Sequence, residues 1–242
     1  MIAFGPRGAR LRGLAHLQII RNMILILDSI LSDAELKTLR DTLSTREGFQ
    51  SGKATAGWAA KPVKNNLQTK AGARSDGLKR IVEAALMKHE VFKAAAQPKR
   101  IVRTVFSRYE AGMAYGTHID DAMMAGARTD LSFTLFLNPP EDYEGGELVI
   151  ESPEGEADIK LQAGQAVLYP TQRLHHVAEV TSGARLAAVG WVRSLVRSAE
   201  QREMLFDLSQ TVQQLRNIEG ANDALLKVLK TKANLLRMWG DD

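Results

Sequence analysis

The spacing of apolar residues divides the chain into a helical part, a strand-rich part and a second helical part. The apolar run at 23–27, MILIL, predicts a short strand. Ser32 is predicted to open a helix, because Glu35 follows three residues later, as in a capping box. Apolar residues then recur at helical spacing, at Leu36, Leu39 and Leu43. A second helix is predicted over about 76–96, with Pro98 just past its end.

Residues 48–77, which join the two helices, are rich in Gly, Lys, Asn and Ser and show weak periodicity. This composition predicts a loop around a short extended piece, KPVKNN. Lys64, Asn65 and Asn66 in that piece are candidates to line the mouth of a site, or else are solvated polar groups of a loop. The pattern alone leaves both interpretations open.

After Pro98 the pattern changes to short β-rich segments. They are predicted at 100–109, 129–138, 146–152, 158–162, 165–170, 174–180 and 185–195. Turn pairs such as Pro-Pro, Gly-Gly, Ala-Gly and Ser-Gly separate them, so many short strands alternate with turns. This pattern is typical of an antiparallel sandwich or barrel.

Two further helices are predicted at the end of the chain. Ser198 opens the first, which runs to about residue 217, Gly220 ends it, and 222–239 forms the second. The predicted fold class is therefore α+β. The ranges we expect are a basic leader at 1–22, a strand and helical support region at 23–99, a β core at 100–196 and a C-terminal helical region at 197–242. The C-terminal helices either pack on the core or form the face of a homodimer.

Composition excludes several kinds of site and partner. The chain has no cysteine, so neither a disulfide framework nor a thiolate site can exist. Mean hydropathy is −0.19, and the longest apolar runs are far shorter than a bilayer span. We therefore expect a soluble, cytoplasmic protein with no membrane partner.

The net charge of +4 raises the question of a nucleic-acid partner. All of this charge belongs to residues 1–22, whose basic residues are accompanied by no acid and no lysine. They are Arg7, Arg10, Arg12 and Arg21. The neutral remainder counts against a nucleic-acid-binding module. We expect the leader to be a disordered arm or to precede a true start at Met23, with a targeting or nucleic-acid arm as the alternative.

The stretch YGTHIDDA contains the first candidate chemistry. His118 and Asp120 lie two residues apart, so on an extended segment both side chains face the same side. A His-x-Asp pair alone is weak evidence for a metal site. A third ligand, His175 or His176, lies on a later predicted strand, and alternation does not choose between them. Two histidines and a carboxylate form the facial triad of non-haem iron(II) oxygenases, which leaves coordination positions open.

Arg185 begins an otherwise apolar predicted strand, ten residues after His175. A guanidinium in such a place needs an anion, and its planar fork binds a carboxylate through two hydrogen bonds. An internal Asp or Glu would satisfy it. Beside a facial triad, a dicarboxylate cosubstrate is the better candidate.

Several motifs in one order resemble the Fe(II)/2-oxoglutarate dioxygenases, and more closely the bacterial PKHD-type hydroxylases of the prolyl 4-hydroxylase-like group. The similar stretches are RYEAGMAYGTHIDDA, RTDLSFTLFLNPPEDYEGGELVI, LQAGQAVLYPTQRLHHV and TSGARLAAVGWVRSLVR, with GKATAGWAAKPVKNNLQ and QPKRIV upstream. The resemblance runs from about Met23 to at least Arg216. It implies a double-stranded β-helix, or jelly-roll, core.

The resemblance implies a metal centre and its cofactors. It assigns His118, Asp120 and His175 as ligands of Fe(2+), because the family pattern Leu-His-x-Val selects the first histidine of the pair. It implies 2-oxoglutarate and O2 as cosubstrates and L-ascorbate as the reductant that keeps the iron reduced.

The resemblance also implies how 2-oxoglutarate is held. Arg185 corresponds to the partner of its distal carboxylate, and Tyr109 to a tyrosine whose hydroxyl reaches the cosubstrate, unless it is a core aromatic. Relatives often carry Tyr where this chain has Phe136, which leaves more of the anchoring to Arg185 and to a neighbouring hydroxyl such as that of Thr134.

The function implied is hydroxylation of an unidentified substrate, either an amino-acid side chain in a peptide or a siderophore-related small molecule, with a link to iron homeostasis. Two other interpretations compete with it. A cupin-like barrel would bind metal without turnover of 2-oxoglutarate, but it usually has a third histidine and does not require Arg185. An inactive barrel used for interaction would not need an intact ligand set.

Overall fold

The computed structural model describes residues 18–21, 24–58, 60–152 and 155–241. The helices are α1 Asp33–Leu43, α2 Ala73–Lys88, α3 Glu90–Ala96, α4 Ala199–Arg216 and α5 Asn222–Trp239. The strands are β1 Gln18–Arg21, β2 Ile24–Leu27, β3 Phe49–Ser51, β4 Lys64–Asn65, β5 Leu67–Thr69, β6 Pro98–Glu110, β7 Met113–His118, β8 Met123–Met124, β9 Ala127–Arg128, β10 Leu131–Phe136, β11 Tyr143–Gly145, β12 Leu148–Ser152, β13 Gly155–Ile159, β14 Ala166–Pro170 and β15 His175–Ser194.

The strands form two antiparallel layers. The larger sheet has the order β1-β2-β14-β10-β15-β6-β5-β3. The smaller sheet has the order β4-β7-β15-β12-β13, and β11 also pairs with β15. The short strands β8 and β9 pair only with each other. This arrangement confirms the predicted fold class, an α+β protein with a double-stranded β-helix core flanked by helices.

The strand β15 belongs to both layers. Its first half pairs with β7, β11 and β12, and from Ala184 onward it pairs with β6 and β10. The predicted break between two strands at the Ser-Gly turn is therefore wrong. The strand bends there instead, at Gly183, whose φ is +73°. A Cβ on Gly183 would lie 2.1 Å from the carbonyl oxygen of Asp142, so only glycine permits the close approach of the two chain segments.

Two apolar clusters position the layers. The larger cluster joins the larger sheet to the N-terminal helices and includes Leu39, Val82 and Phe106. The smaller cluster includes Tyr109 and Tyr169. Each fully buried side chain of this size stabilises the fold by about 1.5–3 kcal/mol. The smaller sheet is thereby held over the larger one by a partly aromatic core, and the candidate site lies beside that core.

The single helix predicted at about 76–96 is two helices. The chain breaks at His89, whose Nδ1 accepts a hydrogen bond from the backbone N–H of Phe92 at 3.2 Å. The other ring nitrogen, Nε2, donates to the carbonyl oxygen of Asp28 at 3.0 Å. Histidine is not among the residues that usually cap a helix, so the break has no clear signal in the sequence.

The region predicted as a loop, 48–77, contains more strand than expected. The short strands β3 and β5 extend the larger sheet beyond β6, and β4 extends the smaller sheet beyond β7. Each has only two or three residues, which is too few to show an alternating pattern. Their order comes from pairing with a longer neighbour.

Part of the predicted disordered leader is also a strand. β1 pairs antiparallel with β2 and forms an edge of the larger sheet. The rest of the leader, and Met23 next to it, lie outside the described residues. The capped helices at Ser32 and Ser198 are confirmed.

The C-terminal helices pack against each other, and α4 also packs on α3. A homodimer face on these helices stays a prediction, as do the four ranges into which the chain was divided. None of the helices in the described ranges is both long and apolar enough to cross a lipid bilayer.

Gly190 provides a test of the packing between β10 and β15. A Cβ on this residue would lie 2.4 Å from Cζ of Phe133 and 2.8 Å from the carbonyl oxygen of Arg103. We expect Gly190→Ala to lower the free energy of unfolding by about 1–3 kcal/mol, because the core is overpacked. Denaturant unfolding followed by circular dichroism measures the change.

Gly77→Ala is the matched control. Gly77 lies within α2, and a Cβ there would have no atom within 4 Å. This variant should gain up to about 1 kcal/mol of stability from helix propensity. Equal effects of the two substitutions would contradict the packing described here.

Candidate metal centre and active-site cleft

A cleft lies between the two sheets, with a volume of about 820 Å³ that includes the solvent space at its open mouth. Every second residue of β6 from Arg103 to Tyr109 lines this cleft. So do His175, Arg185 and Trp191 of β15. Because side chains alternate along a strand, one face of each strand supplies the whole of this wall.

Three metal-ligating side chains converge in the cleft. His118 ends β7 and pairs directly with His175 at the start of β15, with ring centroids 4.3 Å apart. Asp120 follows β7, with Oδ1 3.8 Å from Nε2 of His118 and Oδ2 3.7 Å from Nε2 of His175. One donor atom from each residue lies within 4.8 Å of the other two. The group can therefore hold one metal ion.

Backbone carbonyls orient both imidazole rings. Nδ1 of His118 donates to the carbonyl of Gly116 at 2.9 Å, and Nδ1 of His175 donates to that of Arg173 at 3.0 Å. A carbonyl can only accept, so in each neutral ring the proton is on Nδ1 and the Nε2 lone pair is free. This is the arrangement that supports a metal-binding histidine.

Asp120 is oriented in the same way. The hydroxyl of Ser132 donates to its Oδ2 at 2.9 Å, and that hydroxyl also lies 3.2 Å from Oγ1 of Thr171. A hydrogen bond of this kind leaves the other carboxylate oxygen free to bind. Ser132 is thus a positioning residue that the sequence did not reveal.

The surroundings of His118 keep this histidine neutral. Burial, and then the neighbouring His175, lowers the pKa of His118 to about 4. Tyr115 stacks on the ring of His118 at 3.6 Å between centroids, and Tyr169 contacts His175 edge-on at 5.4 Å. An imidazole that is neutral at physiological pH can bind a metal without first losing a proton.

Arg185 is only 1% exposed and lies against two aromatic rings. Its guanidinium carbon is 5.4 Å from the ring centroid of Tyr109 and 5.0 Å from that of Phe136. Within the described residues it has no ion pair, and its Nε and Nη2 have no hydrogen-bond partner. A buried charge is costly unless it is paired, so the position suits an anionic ligand.

Two tyrosine hydroxyls lie near Arg185, and a threonine hydroxyl lies in the same cleft. Burial raises the pKa of Tyr109 to about 12, while the charge of Arg185 and a hydrogen bond with Asn66 oppose this rise. Thr134 is buried and lines the same cleft. The hydroxyl of Tyr143 is buried without a partner, and burial raises its pKa against the nearby charge of Arg185. All three hydroxyls could donate to a bound carboxylate.

Gly146 explains how Tyr143 comes so close to Arg185. A Cβ at Gly146 would lie 3.1 Å from Cδ of Arg185 and 3.2 Å from Cε2 of Tyr143. Its φ of +69° is also one that glycine adopts without strain. Tyr143 was not among the predicted site residues, although it lies just before the Gly-Gly pair at 145–146.

The structure brings the predicted site residues together. They are His118, Asp120, His175, Arg185, Tyr109 and Thr134. His176 pairs with Val149 of β12 and does not line the cleft. Of the loop candidates, Lys64 and Asn66 line the cleft, whereas the side chain of Asn65 bonds to the backbone of Gly112.

Two family models match the chain. The 2OG-Fe(II) oxygenase superfamily model matches residues 104–193, which span β6 to β15. The model of the PKHD-type hydroxylase C-terminal domain matches residues 200–241, which span α4 and α5. The barrel and the C-terminal helical pair are thus both similar to known families.

Curated relatives are similar over most of the chain. A PKHD-type hydroxylase from Parvibaculum lavamentivorans is 52% identical over 222 residues, which cover 91% of this chain and 100% of the relative. One from Maricaulis maris is 52% identical over 220 residues, with the same coverage of both chains.

Solved structures share the fold at low identity. A Pseudomonas putida prolyl-4-hydroxylase is 20% identical with a TM-score of 0.53, over 71% of this chain and 92% of that chain. A prolyl hydroxylase from Trichoplax adhaerens is 16% identical with a TM-score of 0.55, over 76% and 87% of the two chains. At this identity the likeness shows the fold alone.

Adjacent histidines offer a matched test of the metal centre. Loss of a group that only orients a metal ligand weakens metal binding by roughly 10- to 100-fold. We expect His175→Ala to weaken binding of Fe(II) by more than this, because the substitution removes a ligand. His176→Ala should leave binding unchanged, because His176 does not line the cleft. Anaerobic equilibrium dialysis measures the bound metal. Loss of binding in His176→Ala alone would contradict the assignment of His175.

Proposed function

This chain belongs to the PKHD-type hydroxylases, within the 2OG-Fe(II) oxygenase superfamily, and on that basis we propose that it hydroxylates its substrate at an iron held by His118, Asp120 and His175. Members of this superfamily are enzymes that use Fe(II), 2-oxoglutarate and O2. One observation carries the residue assignment. Three donor atoms within 4.8 Å of one another face the same cleft as a buried, unpaired guanidinium.

The donor set fits iron(II). Two imidazole nitrogens and one carboxylate are the ligands of the facial triad, and they occupy one side of an octahedral ion. The donor atoms here are already oriented by hydrogen bonds to Gly116, Arg173 and Ser132. All three residues line the cleft, so an ion that they held would be reached from it by a cosubstrate.

The arginine pocket fits a dicarboxylate. We propose that Arg185 binds the distal carboxylate of 2-oxoglutarate through its unpartnered Nε and Nη2 atoms. Tyr109, Thr134 and Tyr143 supply hydroxyl donors around the same carboxylate. Phe136 and the ring of Tyr109 cover the guanidinium, which strengthens an ion pair by excluding water.

Bound iron supplies oxidative chemistry, in which 2-oxoglutarate and O2 give succinate and CO2 while one oxygen atom enters a C–H bond of the substrate. The residues of the chain orient the metal ligands and exclude water from the arginine pocket. Ser132 holds Asp120 in one orientation, and Tyr115 and Tyr169 fix the planes of the two imidazoles. The low pKa of His118 keeps its imidazole neutral, so this ring need not lose a proton when the metal binds.

The proposal extends to the substrate and the cellular role. We propose a peptidyl side chain or a siderophore-related small molecule as substrate, L-ascorbate as the reductant of the iron, a cytoplasmic location and a link to iron homeostasis. The family resemblance supports these points. A cupin-like barrel without turnover of 2-oxoglutarate is the alternative, and the unpaired Arg185 counts against it.

Arg185→Lys tests the cosubstrate pocket. We expect the concentration of 2-oxoglutarate at half-maximal succinate formation to rise by roughly 10- to 100-fold, because a point charge replaces a bidentate fork. Iron binding should not change. Anaerobic metal binding and aerobic succinate release, both without added substrate, measure the two effects.

Arg100→Lys is the control, because Arg100 lies on β6 opposite Arg193 and does not line the cleft. It should leave both measurements unchanged. An unaltered requirement for 2-oxoglutarate in Arg185→Lys would mean that another residue anchors the cosubstrate.

A further inference from the structure

The cleft has cationic residues at two separate places. On the ladder between β6 and β15, Arg185 pairs with Tyr109 and Trp191 pairs with Arg103. These two pairs lie on the same face of the sheet, six residues apart along β15. At about 3.3 Å per residue, roughly 20 Å separates them. Arg103 is therefore too far from Arg185 to share the same small anion.

The opposite sheet brings a second cation towards the cleft. Lys64 lies on β4, pairs with Tyr115 and is only 6% exposed. Its Nζ is 4.9 Å from the ring centroid of Tyr115, which itself stacks on His118. Lys64 thus reaches the cleft from the smaller sheet, near the metal ligands, while Arg103 reaches it from the larger sheet.

These two cations lack an internal counter-ion. Among the residues that the structure describes, neither Lys64 nor Arg103 forms an ion pair with a carboxylate. Burial, and then the charge of Arg103, lowers the pKa of Lys64 to about 8, with Asp120 opposing. The indole Nε1 of Trp191, opposite Arg103, is buried without a hydrogen-bond partner. Lys64 and Trp191 are buried, so for these two a missing partner is costly, whereas Arg103 is exposed and adds its charge from the solvent side of the cleft. The three groups together suit an anionic ligand.

The acids of the cleft do not balance these cations. Two carboxylates line it, those of Asp120 and Asp121. Asp120 faces the histidines and, under the proposed function, binds the metal. Arg185 is committed to the cosubstrate in the same way. Lys64 and Arg103 are then left with only Asp121, which is exposed to solvent.

The wall between the two cationic places has an apolar part next to the Arg103 end. Val105 and Val189 pair directly on the ladder, between the Arg185 end and the Arg103 end, and both line the cleft. A molecule that lies along this wall would contact apolar side chains with its body. Its charged group would lie at the outer end.

We propose that Lys64, Arg103 and the indole N–H of Trp191 form a subsite that binds an anionic oxygen group, a carboxylate or a phosphate, on the substrate to be hydroxylated. The inference rests on the proposed function, because it takes the iron and Arg185 as already occupied. It makes the enzyme selective for acidic substrates with a short apolar body.

Benzoate, phenyl phosphate and benzamide are the probes. They share an aromatic body and differ in the presence and type of anionic group. The protein is loaded with Mn(II) and saturating 2-oxoglutarate, and the paramagnetic relaxation of the probe protons measures binding near the metal. We expect relaxation enhancement for the anionic probes and none for benzamide. Whichever of benzoate and phenyl phosphate binds more tightly identifies the anionic group that the subsite selects.

Substitutions assign the effect to the subsite. Lys64→Met and Arg103→Met keep an apolar stem and remove the charge. Each should weaken binding of the anionic probe by about tenfold. Lys64→Arg and Arg103→Lys keep the charge and should retain most of the affinity. Lys61→Met is the matched control, because Lys61 is exposed, precedes β4 and does not line the cleft.

Three results would overturn the inference. These are equal relaxation of benzamide and the anions, no loss of affinity in either methionine variant, or no anion binding at all. Binding of 2-oxoglutarate is measured on the same samples. If 2-oxoglutarate binds and the anions do not, the inference alone is wrong. If 2-oxoglutarate fails to bind the metal-loaded protein, the proposed function fails and this inference with it.

Discussion

The continuity of β15 through both sheets is the constraint on which the site depends. One strand carries His175 in the smaller sheet and Arg185 in the larger sheet, and a bend at Gly183 turns it from one to the other. Its partners complete the site, since His118 is paired with His175 and Tyr109 with Arg185. The distance from the metal ligands to the arginine pocket is thus set by backbone hydrogen bonds, which hold a site more rigidly than loops do.

Arg185 differs from a second buried arginine, Arg202, in its hydrogen bonding. Arg202 is also buried, at 3% exposed, and its Nε likewise has no partner, but its Nη1 donates to the carbonyls of Val196 and Arg197. It serves the fold. Arg185 has aromatic faces around it and unpartnered donors, so its position makes physical sense only with a ligand. The same argument applies more weakly to Trp191, which lies at the other end of the same ladder.

Local signals in the sequence predicted much of this structure. The serines at 32 and 198 begin helices through hydrogen bonds that a capping pattern describes, and alternation placed His118 and Asp120 on one side. The choice of His175 over His176 needed the family pattern, because alternation treats the two alike. Long-range pairing was not visible. The continuity of β15 through a Ser-Gly pair and the order of β3, β4 and β5 depend on partners distant in the chain.

The central claim is that His118, Asp120 and His175 hold an iron to which 2-oxoglutarate binds under the control of Arg185. Anaerobic titration of the protein with Fe(II) and then with 2-oxoglutarate tests it most directly, because chelation of the iron by the keto acid produces a weak visible charge-transfer band. The account predicts a band whose intensity saturates near one equivalent of iron per chain. In Arg185→Lys, the same band should require a higher concentration of 2-oxoglutarate. Bound iron that gives no band at saturating 2-oxoglutarate would contradict the account.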